Sequence, residues 1–405
     1  MRKIFLNSFF YVVMVVLFGL AGAGWTYRAS ASSREITACG ALPNGSPQLI
    51  DCVYNVIKSD LHANGLRSAY GVFAYAYENA PGFASSGCHR HAHWMGDTVY
   101  YAEYVAGSQD LSKIDFPPET EACGYGFFHG FLEHLVQDHP SVEFVTTTCS
   151  HLSDRLSKEM HDLPSICYHG SGHGLMLGRA VAIKKAQWGN DFAFTELPLK
   201  ECDALPAATS RHKEECREGI FNVLVEWMET KQYGFHYDQS HPFGICQKYS
   251  PLWKRACYYE MAQRLDSISS HDPVKTLATL SEEKDVKLKE MAFQVGVTGM
   301  MQSLSGTDKH YEVLSRCELL DAHWFPLCIQ SIVAGLFEHG EPLQEYVPAL
   351  TLCADPRIAA RGADRDCWRV VGKKLQRFYG QDKIDRVCTS VQIPAKYVSV
   401  CTGKS

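Results

Sequence analysis

Sixteen cysteines recur along this chain in a spacing that limits what it can fold into. Most form local pairs 11 to 18 positions apart: Cys39/Cys52, Cys149/Cys167, Cys202/Cys216, Cys246/Cys257, Cys317/Cys328, Cys353/Cys367 and Cys388/Cys401. The second member of most pairs opens an amphipathic run, as in CREGIFNVLVEWM from Cys216 and CIQSIVAGLFEHG from Cys328. Apolar residues in these runs recur at three and four, as on one helix face. The first member tends to end another helical run, as in YEVLSRC up to Cys317. Openings at 52, 88, 123, 167, 216, 257, 328, 367 and 401 are mostly 34 to 49 residues apart. In the one gap of 71, Phe293 of FQVGVTGMM takes the missing cysteine's place. A fixed period of this size marks stacked αα hairpins. The expected fold is therefore all-α: about ten disulfide-stapled αα-hairpin repeats in a solenoid or closed helical ring, after an N-terminal apolar helix.

Each local disulfide would tie the end of one hairpin to the start of the next, contributing roughly 3 kcal/mol by loop closure. Cys88 and Cys123 have no local partner. The simplest expectation is that they bond to each other across adjacent helices; the alternative is a free thiol or metal ligand.

Residues 1–31 read as a signal peptide or signal anchor. Arg2 and Lys3 precede the nearly uncharged run Ile4 to Gly24, whose 21 residues could cross a bilayer. The basic start keeps that end cytoplasmic, and Ala29-Ser30-Ala31 has the form of a cleavage site. Residues 32–38 are then a linker, and 39–405 one cysteine-rich helical domain. The expected location is periplasmic or extracellular, with membrane anchoring if the segment is not cleaved. Dense cysteine agrees with an oxidising compartment. A formal net charge of −6 and the lack of a long basic run exclude a nucleic-acid partner. No CxxC, CxxCH, GxSxG or dinucleotide fingerprint occurs, so the chain offers no zinc ribbon, c-type haem, serine-hydrolase or nucleotide signature.

Chemistry concentrates between Cys88 and Arg179, in CHRHAHWMGD, CGYGFFHGFLEH and CYHGSGHGLMLGR. Residues four apart share one face of a helix. His89 and His93 make such a pair, extended by Asp97; His129 and Glu133 make a second; His169 and His173 a third. Stacked hairpins would bring the three pairs to one surface. Imidazole with carboxylate suits a divalent transition metal (Zn, Fe, Cu or Mn). The candidate metal ligands are His89, His93, His129, Glu133 and His173. Asp97 and His169 are the candidate proton-transfer groups. His91 and His134 point elsewhere on regular helices and are at most supporting partners. Glu226 and Glu338 share the Glu133 offset and are read as solvated. Gly126, Gly130, Gly170 and Gly174 each cost about 1 kcal/mol in a helix relative to alanine; close helix packing or ligand approach would explain them.

The functional expectation is an exported metal-dependent enzyme, hydrolytic or oxidative, with an unknown substrate. The alternative is a non-catalytic helical repeat protein that binds a protein or glycan partner. Non-covalent haem held by His129 or His173 is a further possibility.

Overall fold

The computed structural model describes residues 31–84, 87–158, 160, 162–206, 208–304, 308, 310–341, 344–390 and 393–403. The expected targeting segment, with its apolar run at about 4–24, lies outside these residues apart from its last position. Among the described residues there is no strand, and no helix is long and apolar enough to cross a membrane.

The chain divides into two compact units, one ending at Ser86 and the other beginning at Gly87. In the first, Pro47–Asn64 packs against Leu66–Asn79. Ser46 caps the former by accepting a hydrogen bond from the Leu49 amide, and Pro47 supplies the preset first turn. Residues 32–38, expected as a linker, are helical instead. Ile36 is buried and Cys39 is bonded to Cys52, so packing and a cross-link hold this turn in place.

The second unit is built on eight helices: α1 (Cys88–Val99), α2 (Gly126–Asp138), α3 (Leu163–Ala180), α4 (Ser210–Thr230), α5 (Pro251–Ala262), α6 (Val286–Leu304), α7 (Trp324–His339) and α8 (Asp364–Phe378). Each packs on the next, and α7 also touches α1. At the end of α8, the Arg377 carbonyl accepts from the Tyr125 hydroxyl at 3.0 Å, and the Arg377 guanidinium pairs with Asp162 at 2.6 Å. The last helices thus return to the segments that precede α2 and α3.

Shorter helices back the long ones: Val142–Leu156 on α3, Asp191–Ala204 on α4, His310–Cys317 on α7 and Tyr346–Cys353 on α8. All sixteen cysteines are in disulfides, in the seven expected local pairs and Cys88–Cys123. Two details differ from expectation. Cys149–Cys167, Cys202–Cys216, Cys317–Cys328 and Cys353–Cys367 join the two helices of one hairpin, not successive hairpins. Most cysteines also sit inside their helices. Cys216 lies well within Ser210–Thr230, because Thr209 caps the helix upstream, accepting from the His212 amide at 3.2 Å.

α2 and α3 are covered on nearly all sides. Phe127, Phe128, Phe131, Leu132 and Leu135 are buried on α2, as are Ile166, Tyr168, Leu175 and Met176 on α3. A helix buried nearly all round has little solvent face for its polar residues, so His129, His169 and His173 are enclosed, while His134 near the end of α2 is half-buried.

Glu121, in the short turn Pro118–Glu121 before α2, is 3% exposed and its Oε1 has no hydrogen-bond partner. Burial pushes its carboxyl up to about 9; Asp162 adds to this and Tyr125 partly offsets it. An unfolded glutamate ionises near pH 4.3. Between those values the unfolded chain has lost a proton that the native state keeps, so stability falls as pH rises. Glu121→Gln should lose less stability than wild type from about pH 5 to about pH 8, by up to about 4 kcal/mol at about 1.4 kcal/mol per pH unit. Urea midpoints with the same pH slope in both proteins would refute this.

Candidate metal centre

The site begins with a turn. Cys123, Gly124 and Tyr125 all have positive φ (61°, 62° and 60°). For cysteine and tyrosine this region is uncommon and strained. The turn is held by the Cys88–Cys123 disulfide. It leaves the Cys123 carbonyl 2.9 Å from His89 Nδ1.

That contact determines a chain of protons. A carbonyl only accepts, so His89 Nδ1 carries hydrogen and donates. Burial pushes His89 down to about 3, so its Nε2 is a bare acceptor near neutral pH. His129 Nδ1 lies 3.0 Å from that nitrogen and therefore donates to it. Burial and the surrounding imidazoles hold His129 well below the usual histidine range too. Its Nε2 is then a lone pair, buried and without a hydrogen-bond partner. His89, expected as a ligand, has both ring nitrogens in hydrogen bonds, one with the Cys123 carbonyl and one with His129 Nδ1. The His129 ring lies 4.8 Å from that of His169 and 5.7 Å from that of His173, between ring centroids.

Beside it, three helices bring together His93 (α1), Glu133 (α2) and His173 (α3). Their potential ligand atoms all lie within 4.8 Å of one another. Glu133 Oε2 is 3.0 Å from His173 Nδ1 and 3.5 Å from His93 Nε2. Burial opposes charge on His93, but Asp97 and Glu133 outweigh it and raise the imidazole to about 10. Burial likewise opposes charge on Glu133, yet His173 and His93 hold its carboxyl below the usual range. His173 Nε2 is a second buried nitrogen with no partner. The group is partly open: the side chains of His93, Glu133 and His173 are 28%, 17% and 7% exposed.

Asp97 lies between two imidazoles, 3.5 Å from His93 Nδ1 and 3.4 Å from His134 Nε2. His134 is therefore a supporting partner, its other nitrogen 3.3 Å from the Tyr101 hydroxyl. His91 is a core residue, Glu226 is solvated as expected, and Glu338 pairs with Lys374 at 2.5 Å.

The glycines explain how the helices come this close. A methyl group at Gly130 would sit 2.2 Å from the His93 carbonyl oxygen and 2.5 Å from Asp97 Oδ1. One at Gly219 on α4 would sit 2.1 Å from the His169 carbonyl oxygen. Backbone fills these spaces, so helix packing accounts for the glycines, not ligand approach.

No protein-family model, curated protein or solved structure matches this chain. Its function must be read from the site alone. Two imidazoles and a carboxylate with an open side form a donor set found for catalytic zinc and non-haem iron(II). The unpartnered nitrogens of His129 and His173 fit a metal better than a satisfied core.

Sequence spacing passed over several interior residues: Glu215 and Glu218 on α4, Tyr259 and Glu260 on α5, and Lys374 and Arg377 on α8. One signal was available. Counting from each helix's cysteine, position +2 holds His169, Glu218, Tyr259 and Gln330. His169 and Glu218 fall in one candidate metal group, and Tyr259 and Gln330 line a cavity of about 260 Å³ with Gln263, Gln294 and Lys374.

Gly130→Ala should destabilise the fold by about 1–3 kcal/mol, because the methyl group can be accommodated only by moving α1 away from α2. A thermal or urea midpoint equal to wild type would show that the close approach is not required.

Proposed function

We propose that this chain is an exported metal-dependent enzyme. His93, Glu133 and His173 hold the working ion, His129 Nε2 is a further donor, and His89 fixes the His129 tautomer. The reading rests on one observation above all. Three helices far apart in sequence place two imidazoles and a carboxylate within ligand distance, beside buried nitrogens with no other partner.

A metal there would polarise a substrate oxygen or lower the pKa of bound water; a redox-active ion would add oxidative chemistry. The residues supply the rest. Asp97, between His93 and His134 at the open side, is placed to take up or return a proton. His169, expected in such a role, is too enclosed for it, being 8% exposed with Nδ1 turned to Glu215 at 3.5 Å.

The cavity beside α5 to α8 is the candidate substrate pocket. Gln263, Gln294, Gln330, Glu338, Lys374 and Arg377 line it, and this mixture of amides and charges suits a polar substrate. Two residues of its wall connect it electrostatically to the centre: Glu338 acts on His89, and Tyr259 feels Glu215 and Glu218. The return of α7 to α1 fits the closed-ring form of the repeat rather than an open solenoid. Eight disulfides fit an oxidising, extracytoplasmic location.

Elemental analysis of purified protein tests the reading. His93→Ala with His173→Ala should hold one ion fewer per chain than wild type while staying folded. His89→Gln should weaken metal binding about tenfold to a hundredfold, since it frees the His129 ring without removing a ligand. Metal-free wild type whose folding is unchanged in the double variant would leave only a stapled scaffold for a protein or glycan partner.

A further inference from the structure

Next to the open group lies a second one that is fully enclosed. His169 on α3 and Glu215 and Glu218 on α4 have potential ligand atoms within 4.8 Å of one another. They are 8%, 5% and 1% exposed. Glu215 is shared: one oxygen pairs with Arg211, and Oε2 lies 3.5 Å from His169 Nδ1. Glu218 is different, since neither of its carboxylate oxygens has a hydrogen-bond partner.

A carboxylate buried without a donor is costly in either protonation state. Ionised, it lacks compensation for lost hydration; protonated, it still leaves polar atoms unsatisfied. The charges around it do not resolve this. Arg211 is committed to Glu215, and the neighbouring Glu260 is a further acid, whose Oε2 accepts from Asn222 and Gln263 at 2.6 and 2.8 Å. Glu214, Tyr259 and Arg377 are further charged and titratable neighbours.

We infer that His169, Glu215 and Glu218 hold a second divalent cation, adjacent to the one at His93, Glu133 and His173. The two groups meet on α3, where His169 and His173 are one helical turn apart with ring centroids 5.0 Å from each other. A cation would engage both Glu218 and the remaining Glu215 oxygen, and its charge would balance the two carboxylates. With two oxygen ligands and one imidazole, this inner group is the harder donor set, suited to manganese(II) or iron(II); the outer pair of imidazoles suits zinc. The inner ion has no solvent-facing side chain and the outer one does. The pair would then place an enclosed ion beside an exposed one, with only the outer ion able to meet a substrate oxygen. The proposal extends the preceding reading without depending on it, because the two ligand sets share no residue.

The test strips full-length protein with chelator, reloads it with zinc and manganese(II), and counts ions per chain after gel filtration. Wild type should retain two. Glu215→Gln with Glu218→Gln should retain one, and His93→Ala with His173→Ala should retain the other. The ion kept by each variant shows that its fold survives. A single ion in wild type, kept by the glutamine variant and lost from the alanine variant, overturns the second site and leaves the first. A single ion with the reverse pattern upholds the second site and removes the first. No retained ion in wild type overturns both.

Discussion

Backbone-to-backbone approach between successive helices is the constraint on which the rest depends. Gly172 and Gly219 show it most clearly. A methyl group at Gly172 would meet the Cys216 carbonyl oxygen at 2.1 Å, and one at Gly219 would meet the His169 carbonyl oxygen at 2.1 Å. α3 and α4 therefore touch through main chain at this crossing. The contact brings Glu215 to His169, just as the Gly130 contact brings Glu133 to His93. Side chains that would lie in separate grooves at an ordinary interhelical distance of 8–10 Å share one small volume here. The glycines cost helix propensity, and the gain is convergence.

Such an interior is electrostatically expensive, and the fold manages it by two devices. One is neutrality enforced by hydrogen bonding: the Cys123 carbonyl, His89 and His129 form an uncharged relay whose direction follows from the carbonyl end. The other is pairing, as in His93 with Glu133 and Asp97, and Lys374 with Glu338. Where neither device reaches, at His129 Nε2, His173 Nε2 and Glu218, the atoms stay unsatisfied. Other buried polar atoms, such as Glu121 Oε1, also lack partners, but these three groups belong to adjacent helices beside the candidate metal groups. Cross-links supply the rigidity this needs. The disulfide at Cys88 and Cys123 braces the strained turn that aims the relay, and the hairpin disulfides join each backing helix to a long one.

Much of this could be read in advance. Cysteine spacing alone defines the local disulfide pairs and the alternation of helices, because loop closure over 11 to 18 residues leaves few other partners. The i,i+4 rule found His93, Glu133 and His173, since one helical turn is the same in any context. It also chose His89, but it could not show that Nδ1 meets a carbonyl in a turn 34 residues away. Glu215 and Glu218 were missed because they precede and follow Cys216 in a run that reads as an ordinary charged, capped helix start. Only their burial makes them unusual, and burial is not a local property.

The amino-acid order by itself therefore determined the helical class, the disulfide framework and which helices carry the closely spaced histidines and carboxylates. Those features rest on short-range geometry, in turns and loops that close within one hairpin. Tertiary packing decided which side chains meet. It brought His93, Glu133 and His173 into one group, set His89 against the Cys123 carbonyl, and enclosed His169 with two glutamates from the next helix. These choices depend on how far apart neighbouring backbones sit and on which faces lose water. Neither quantity exists until the helices have packed.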